Sequence, residues 1–236
     1  MAHPATICVL SDSHAASLKR GWSLIEEDFP DTKFTFFAGT SGEWNSLRAA
    51  DGKLVPESAV LREQFGRSAH GMTEIADEFD AYVVCGMGLA ISVALKFWVR
   101  LENKDWTMER AAIAWHIGNI ASAHVLATLR TITAKPVLLL AAPFQPRKFC
   151  LFSPAIDDEA AAGIQKIFFE ECEALAAKHG AMFLPQPEST WAPNGVTTKM
   201  RFASPDLLNG KEDRRHCTPK FGAIVLTEAL NKLPAR

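Results

Sequence analysis

Several things are missing from this 236-residue chain. Its five cysteines (Cys8, Cys85, Cys150, Cys172 and Cys217) are odd in number and show no CxxC spacing. That speaks against a disulfide framework and the common zinc patterns, and favours a reducing compartment. Charge of one sign is missing too. The net charge is -2, with no block of like charges, so nothing electrostatic points to nucleic acid. No apolar run is long enough to span a bilayer, and the opening MAHPAT has no basic stretch followed by an apolar one. The expectation is a cytoplasmic protein with no membrane partner. Neither a Walker loop nor GxGxxG occurs, and GMG at 86–88 is too short to indicate a nucleotide, so no cofactor is expected.

What is present is an alternation of strand-like and helix-like segments. Apolar residues make up 48% and charged residues 22% of the chain, enough to bury a core in one domain over 1–236. Strands are predicted at 6–10, 33–38, 82–85, 137–142 and 181–184. Helices are predicted at 15–28, 57–65, 108–133, 156–179 and 221–233, with Gly180 capping the fourth. Residues 47–56 read as loop. The stretch 89–134 is long for one crossover and reads as a helical insertion, a lid or a dimer surface. This order implies an α/β fold: a three-layer α/β/α sandwich around a five-stranded parallel sheet. Sites in such sheets form beyond the carboxyl ends of the strands.

Two motifs stand there. ICVLSDSHAA (7–16) is a strand running into a turn with Ser11, Asp12, Ser13 and His14. NGKEDRRHCTPKFG (209–222) sets Asp213 and His216 ahead of the last helix. A serine hydroxyl needs a base within hydrogen-bond reach and an acid to orient that base. Ser13, His216 and Asp213 offer those three groups. Ser and Asp after a strand are also ordinary caps, and that alternative stays open for both motifs.

The chain resembles the SGNH (GDSL-type) hydrolases, flavodoxin-like α/β/α proteins that mostly deacylate esters. Ser11-Asp12-Ser13 matches the family's Gly-Asp-Ser with serine at the first place. Gly39 matches the glycine after strand two, Gly86 the first glycine of Gly-x-Asn, and Asp213, His216 and Gly222 the last block. The resemblance implies Ser13 as nucleophile, His216 as base and Asp213 as its orienter. It also implies an oxyanion hole from the N–H groups of Ser13 and Gly39. Gly88 stands where the family has a donor asparagine. Losing such a donor costs about 10²–10³ in rate, so Gly88→Asn is expected to raise or preserve activity, with Asn45 and Asn119 as candidate substitutes. The implied substrate is a small acyl ester, such as an O-acetyl group on a sugar. An acyltransferase or a catalytically weak binding protein is the alternative.

Asp12-x-His14 also looks like the opening of a calcineurin-like metallophosphatase. The further blocks are absent: GTSGEW after strand two has no aspartate, and there is no Gly-His-x-His. His116 and His124 could share a helix face, while His3, His70 and His179 stand alone. Trp44 and Trp191 are candidates for the mouth of the site. Arg147, Lys148, Arg214 and Arg215 are candidates for binding an anionic group. Self-association is not readable.

Overall fold

Residues 6–11, TICVLS, are apolar at almost every position, a pattern stable only where both faces of a strand are covered. A computed structural model, which describes residues 5–152, 155–205, 207–208, 211–213 and 216–234, forms this run as β1 (Thr6–Ser11), buried from Ile7 on. The chain continues through α1 (Ala15–Trp22), β2 (Lys33–Ala38), a hairpin of β3 (Leu47–Ala50) and β4 (Lys53–Pro56), and α2 (Ala59–Ser68). It passes β5 (Ile75–Ala76) and β6 (Ala81–Cys85), then α3 (Ile91–Arg100), α4 (Trp106–Gly118) and α5 (Ala121–Arg130). It closes with β7 (Val137–Leu140), α6 (Asp158–Lys178), β8 (Met182–Leu184), the short pair β9 (Leu207–Leu208) and β10 (Lys211–Glu212), and α7 (Pro219–Lys232).

Five strands form one parallel sheet in the order β2-β1-β6-β7-β8. Successive side chains point to opposite faces, and the two cores follow that alternation. Ile7 and Val9 pack with Leu18 and Trp22 of α1 and with Phe221 and Val225 of α7. Cys8 and Leu10 pack with Phe65, Leu95, Leu126 and Phe168 from the helices opposite. The result is the expected α/β/α sandwich. After β2 the chain returns to the other side of β1, so β1 and β6 flank the topological switch point. Register brings the strand ends into one row: Ser11 lies beside both Ala38 and Cys85, Cys85 beside Leu140, and Leu140 beside Leu184.

On the first face α1 and α7 cross at two glycines. A Cβ on Gly222 would lie 2.0 Å from the Ser17 carbonyl oxygen, and one on Gly21 would lie 2.4 Å from the Ala223 nitrogen. No side chain fits between these backbones, and the contact fixes where the segment ahead of α7 enters the site.

Three expectations are corrected. Residues 47–56 form a hairpin rather than a loop. Asp51 (φ 49°) and Gly52 (φ 73°) both adopt the left-handed turn conformation that joins two strands tightly. The helix expected over 108–133 is two helices bent by 53°. The break follows Gly118, where Asn119 donates its side-chain amide to the Trp115 carbonyl at 2.7 Å. The helix expected over 15–28 ends at Trp22, followed by a 3-10 turn at Glu26–Asp28. Within 89–134, Ile113, Ile117, Leu126 and Leu129 are core residues. No single described helix is long and apolar enough to cross a membrane, although α4 and α5 together have the length and composition.

Candidate functional site

The turn after β1 is organised by Asp12. Its side chain is buried, and each oxygen is engaged by donors. Oδ1 accepts from the His14 N–H at 3.2 Å, while Oδ2 accepts from the Ser41 hydroxyl and the Met87 N–H, both at 2.8 Å. One carboxylate thereby ties together the loops after β1, β2 and β6. Gly86 must be a glycine for this brace to form, since its Cβ would lie 2.8 Å from Asp12 Oδ1. Ser122 supports the same turn by donating to the Gly86 carbonyl at 2.5 Å. Asp12 is a structural brace here, and the metal-ligand reading of Asp12 and His14 loses its carboxylate. No group of three or more His, Cys, Asp or Glu side chains suited to a metal occurs among the described residues.

From the far end of the chain, Asp213 and His216 meet as a pair. Asp213 is buried; its Oδ2 lies 2.8 Å from His216 Nδ1, and its Oδ1 accepts from the His216 N–H at 3.1 Å. An ionised Asp213 holds the proton on Nδ1, which leaves the Nε2 lone pair as the basic site. Nε2 is buried and makes no hydrogen bond among the described residues. The segment is pinned from the side. The Ser204 N–H donates to the His216 carbonyl at 3.0 Å, and the Thr218 N–H to the Phe202 carbonyl at 2.9 Å. The His14 ring meets the His216 ring edge-on, with centroids 5.6 Å apart. The link from Ser13 Oγ to Nε2 is not made in this structure.

Neighbouring thiols are unsuited to act as nucleophiles. Burial, reinforced by the Asp12 charge, pushes Cys85 up to about 12, and burial beside Asp213 does the same for Cys217. A thiol so raised stays protonated at neutral pH.

Ser13 itself is exposed, and its N–H makes no hydrogen bond among the described residues. It opens onto a 540 Å³ cavity shared with Gly39, Thr40 and Ser41 on one side and Gln64 and Arg67 of α2 on the other. Of the positions expected there to form an oxyanion hole, Gly39 already has a partner for its N–H. The Gly39 N–H donates to the Ser11 carbonyl at 3.0 Å, continuing the sheet ladder. The Thr40 N–H donates to Gln64 Oε1 at 3.0 Å. Gly88 does not line the cavity. It sits at φ +92°, with its carbonyl 3.2 Å from His116 Nε2 and its Cβ position 3.3 Å from Ile120. Of the three expected positions, only Ser13 has an uncommitted N–H at the cavity.

The remaining candidates scatter. Trp44 is fully buried, its indole N–H donating to the Gly39 carbonyl at 3.3 Å, so it supports the turn from beneath and is absent from the mouth. Trp191 packs on Phe144 and Phe169 and borders a different depression. Asn119 is spent on its helix end, and Asn45 is exposed. His116 and His124 fall on different helices and share no face. His124 Nε2 lies 2.8 Å from the Leu47 carbonyl. Lys148 lies over the Phe149 ring. His3, Arg214, Arg215 and the Arg147 side chain lie outside the described residues. Gln64 and Arg67 were missed in the sequence, where their only signal is a three-residue spacing on one helix face.

No protein-family model matches the chain, and no curated protein matches it. Solved structures do. An extracellular lipase from Streptomyces rimosus aligns over 95% of this chain and 99% of its own, at a TM-score of 0.51 and 15% identity. The periplasmic domain of a lipopolysaccharide acetyltransferase from Salmonella ser. Paratyphi A aligns over 97% and 83% respectively, at a TM-score of 0.45 and 11% identity. At 15% identity, what the lipase shares with this chain is its fold.

Proposed function

On a chain with the SGNH-hydrolase fold, we propose a serine acyl-transfer centre. Ser13 is the nucleophile, His216 the general base and Asp213 its orienter. The observation that carries this reading is the Asp213–His216 pair at 2.8 Å, with Nε2 left without a partner and the His216 ring against the residue that follows Ser13. Apo hydrogen bonds to a catalytic base are often long and tighten with substrate bound.

In the reaction, Ser13 Oγ attacks the ester carbonyl as its proton passes to His216 Nε2. The carbonyl oxygen takes up negative charge near the Ser13 N–H at the start of α1, where the helix dipole favours it. Collapse expels the alcohol, which takes the proton from His216 and leaves an acyl-serine. Water, or a sugar hydroxyl, then discharges the acyl group by the same proton route. A small acyl ester, such as an O-acetyl sugar, is the substrate class we propose.

The committed N–H groups of Gly39 and Thr40 favour a second reading, a domain that keeps the fold and binds esters with little turnover. Hydrolysis of p-nitrophenyl acetate by the wild type and by Ser13→Ala, each with and without EDTA, separates the two. The proposal expects EDTA-insensitive turnover that falls by about 10⁴-fold or more in Ser13→Ala, with phosphonate labelling at Ser13. Equal rates in both proteins would sink it.

A further inference from the structure

The cavity beside Ser13 carries a charge that acyl transfer alone does not require. Gln64 and Arg67, three residues apart on α2, face it together. Gln64 is spent on Thr40: its Oε1 accepts the Thr40 N–H at 3.0 Å, and its Nε2 donates to the Thr40 hydroxyl at 3.0 Å. Arg67 is only loosely held. Its Nε lies 3.7 Å from Glu63 Oε1, and the two side chains are 68% and 70% exposed. Such a pair is worth little and exchanges readily for a better one. The Lys19 ammonium donates to the Ser68 carbonyl at 3.2 Å, a neutral partner one residue beyond Arg67. The one carboxylate in the cavity wall, Asp12, is already occupied by the His14, Ser41 and Met87 donors.

We infer that the substrate is an ester bearing a carboxylate, and that Arg67 binds it while the carbonyl sits at Ser13. The inference rests on the acyl-transfer reading above. Guanidinium and carboxylate pair through two parallel hydrogen bonds, and the planar fork of Arg67 is free to turn from Glu63 into the cavity. Arg67 is thus a specificity residue, and Glu63 a competitor for it.

The test uses phenyl acetate and 4-acetoxybenzoate, which share the acetyl group and differ by one carboxylate. The wild type is expected to favour 4-acetoxybenzoate. In Arg67→Gln the ratio of kcat/KM between the two esters should fall by about tenfold, the worth of one charge-assisted contact at a partly exposed site. The change should lie mainly in KM. Arg67→Lys should restore part of the ratio, and Glu63→Gln should raise it. A ratio unmoved by Arg67→Gln overturns the inference while leaving the serine mechanism standing. Calorimetry on Ser13→Ala reads the same site without turnover. That variant should bind 4-acetoxybenzoate more tightly than phenyl acetate and lose the preference when Arg67→Gln is added. Equal binding of the two esters overturns the inference even if the wild type hydrolyses neither, an outcome that would count separately against the acyl-transfer reading.

Discussion

The two sides of Ser13 are built differently. On the side proposed for proton transfer, both Asp213 oxygens meet His216, the bridges around Phe202 and Ser204 hold the backbone, and α7 is locked to α1 through Gly222. Among the described residues, these bonds position His216 and none engages its Nε2. On the side proposed to stabilise charge, the Gly39 and Thr40 N–H groups are engaged, by the Ser11 carbonyl and Gln64. The same donors that could hold an oxyanion are holding the loops together. A donor can serve a transition state only if its ground-state partner is cheaply exchanged. The Thr40 bond goes to a side chain that can swing away. The Gly39 bond belongs to the sheet and is costlier to give up.

The largest expected effect tests the finished side. Asp213→Asn keeps an oxygen that can accept from the His216 N–H but no longer fixes the proton on Nδ1. The wrong tautomer then presents an N–H to Ser13. On the serine reading, kcat for acetyl-ester hydrolysis should drop by about 10⁴-fold with an unchanged unfolding midpoint. A drop of less than about tenfold would make the Asp213–His216 pair a helix-end cap rather than catalytic machinery.

A smaller effect tests the unfinished side. Motif alignment alone suggests that Gly88→Asn supplies the missing donor. The backbone says otherwise, since at φ +92° a side chain is strained and Ile120 crowds its first carbon. The expected result is a loss of about 1–3 kcal/mol in urea unfolding and no gain in kcat. A gain would mean that the turn relaxes and the amide reaches the oxyanion, which would erase the contrast between the two sides.

The strands were legible because buried parallel strands are short apolar runs with little else to be, and β1, β2 and β6 lie within a residue of where the pattern puts them. The hairpin over 47–56 is hard to see in the sequence even though Asp51-Gly52 is a strong hairpin signal. On β3 (LRAA) only Leu47 is buried, so that strand shows no apolar–polar alternation to read. The division between α4 and α5 was hidden because Ala- and Ile-rich sequence continues across it. In the site, the nearness of Asp213 and His216 follows from their spacing. The bonds of Asp12, the committed Gly39 N–H and the approach of Arg67 depend on how three loops from distant parts of the chain converge. No local pattern encodes that.

The smallest effect concerns support for the turn at Gly88. His116, which reaches the Gly88 carbonyl, rides on α4, and two turns earlier the same helix buries Glu109 completely. Neither oxygen of that carboxyl has a hydrogen-bond partner among the described residues, and burial pushes it up to about 7 against an ordinary value of 4.5, with Lys104 only partly opposing. Between those two values the folded chain holds a proton that the unfolded chain has released. Stability from this group is therefore full below about pH 4.5, falls as pH rises through 7 and stays at its lower level above. The gap sets a ceiling of about 3 kcal/mol, and about half that survives if the site relaxes around the charge. Glu109→Gln cannot ionise. It should flatten the decline in unfolding free energy between about pH 5 and pH 8, and be more stable than the wild type by about 1–2 kcal/mol at the upper end. On the serine reading, and if α4 braces the turn, ester hydrolysis by the wild type should also tolerate alkaline pH less well than that by the variant. Parallel stability profiles for the two proteins would show that Glu109 stays neutral or finds a partner, and that α4 holds the Gly88 turn equally well at either pH.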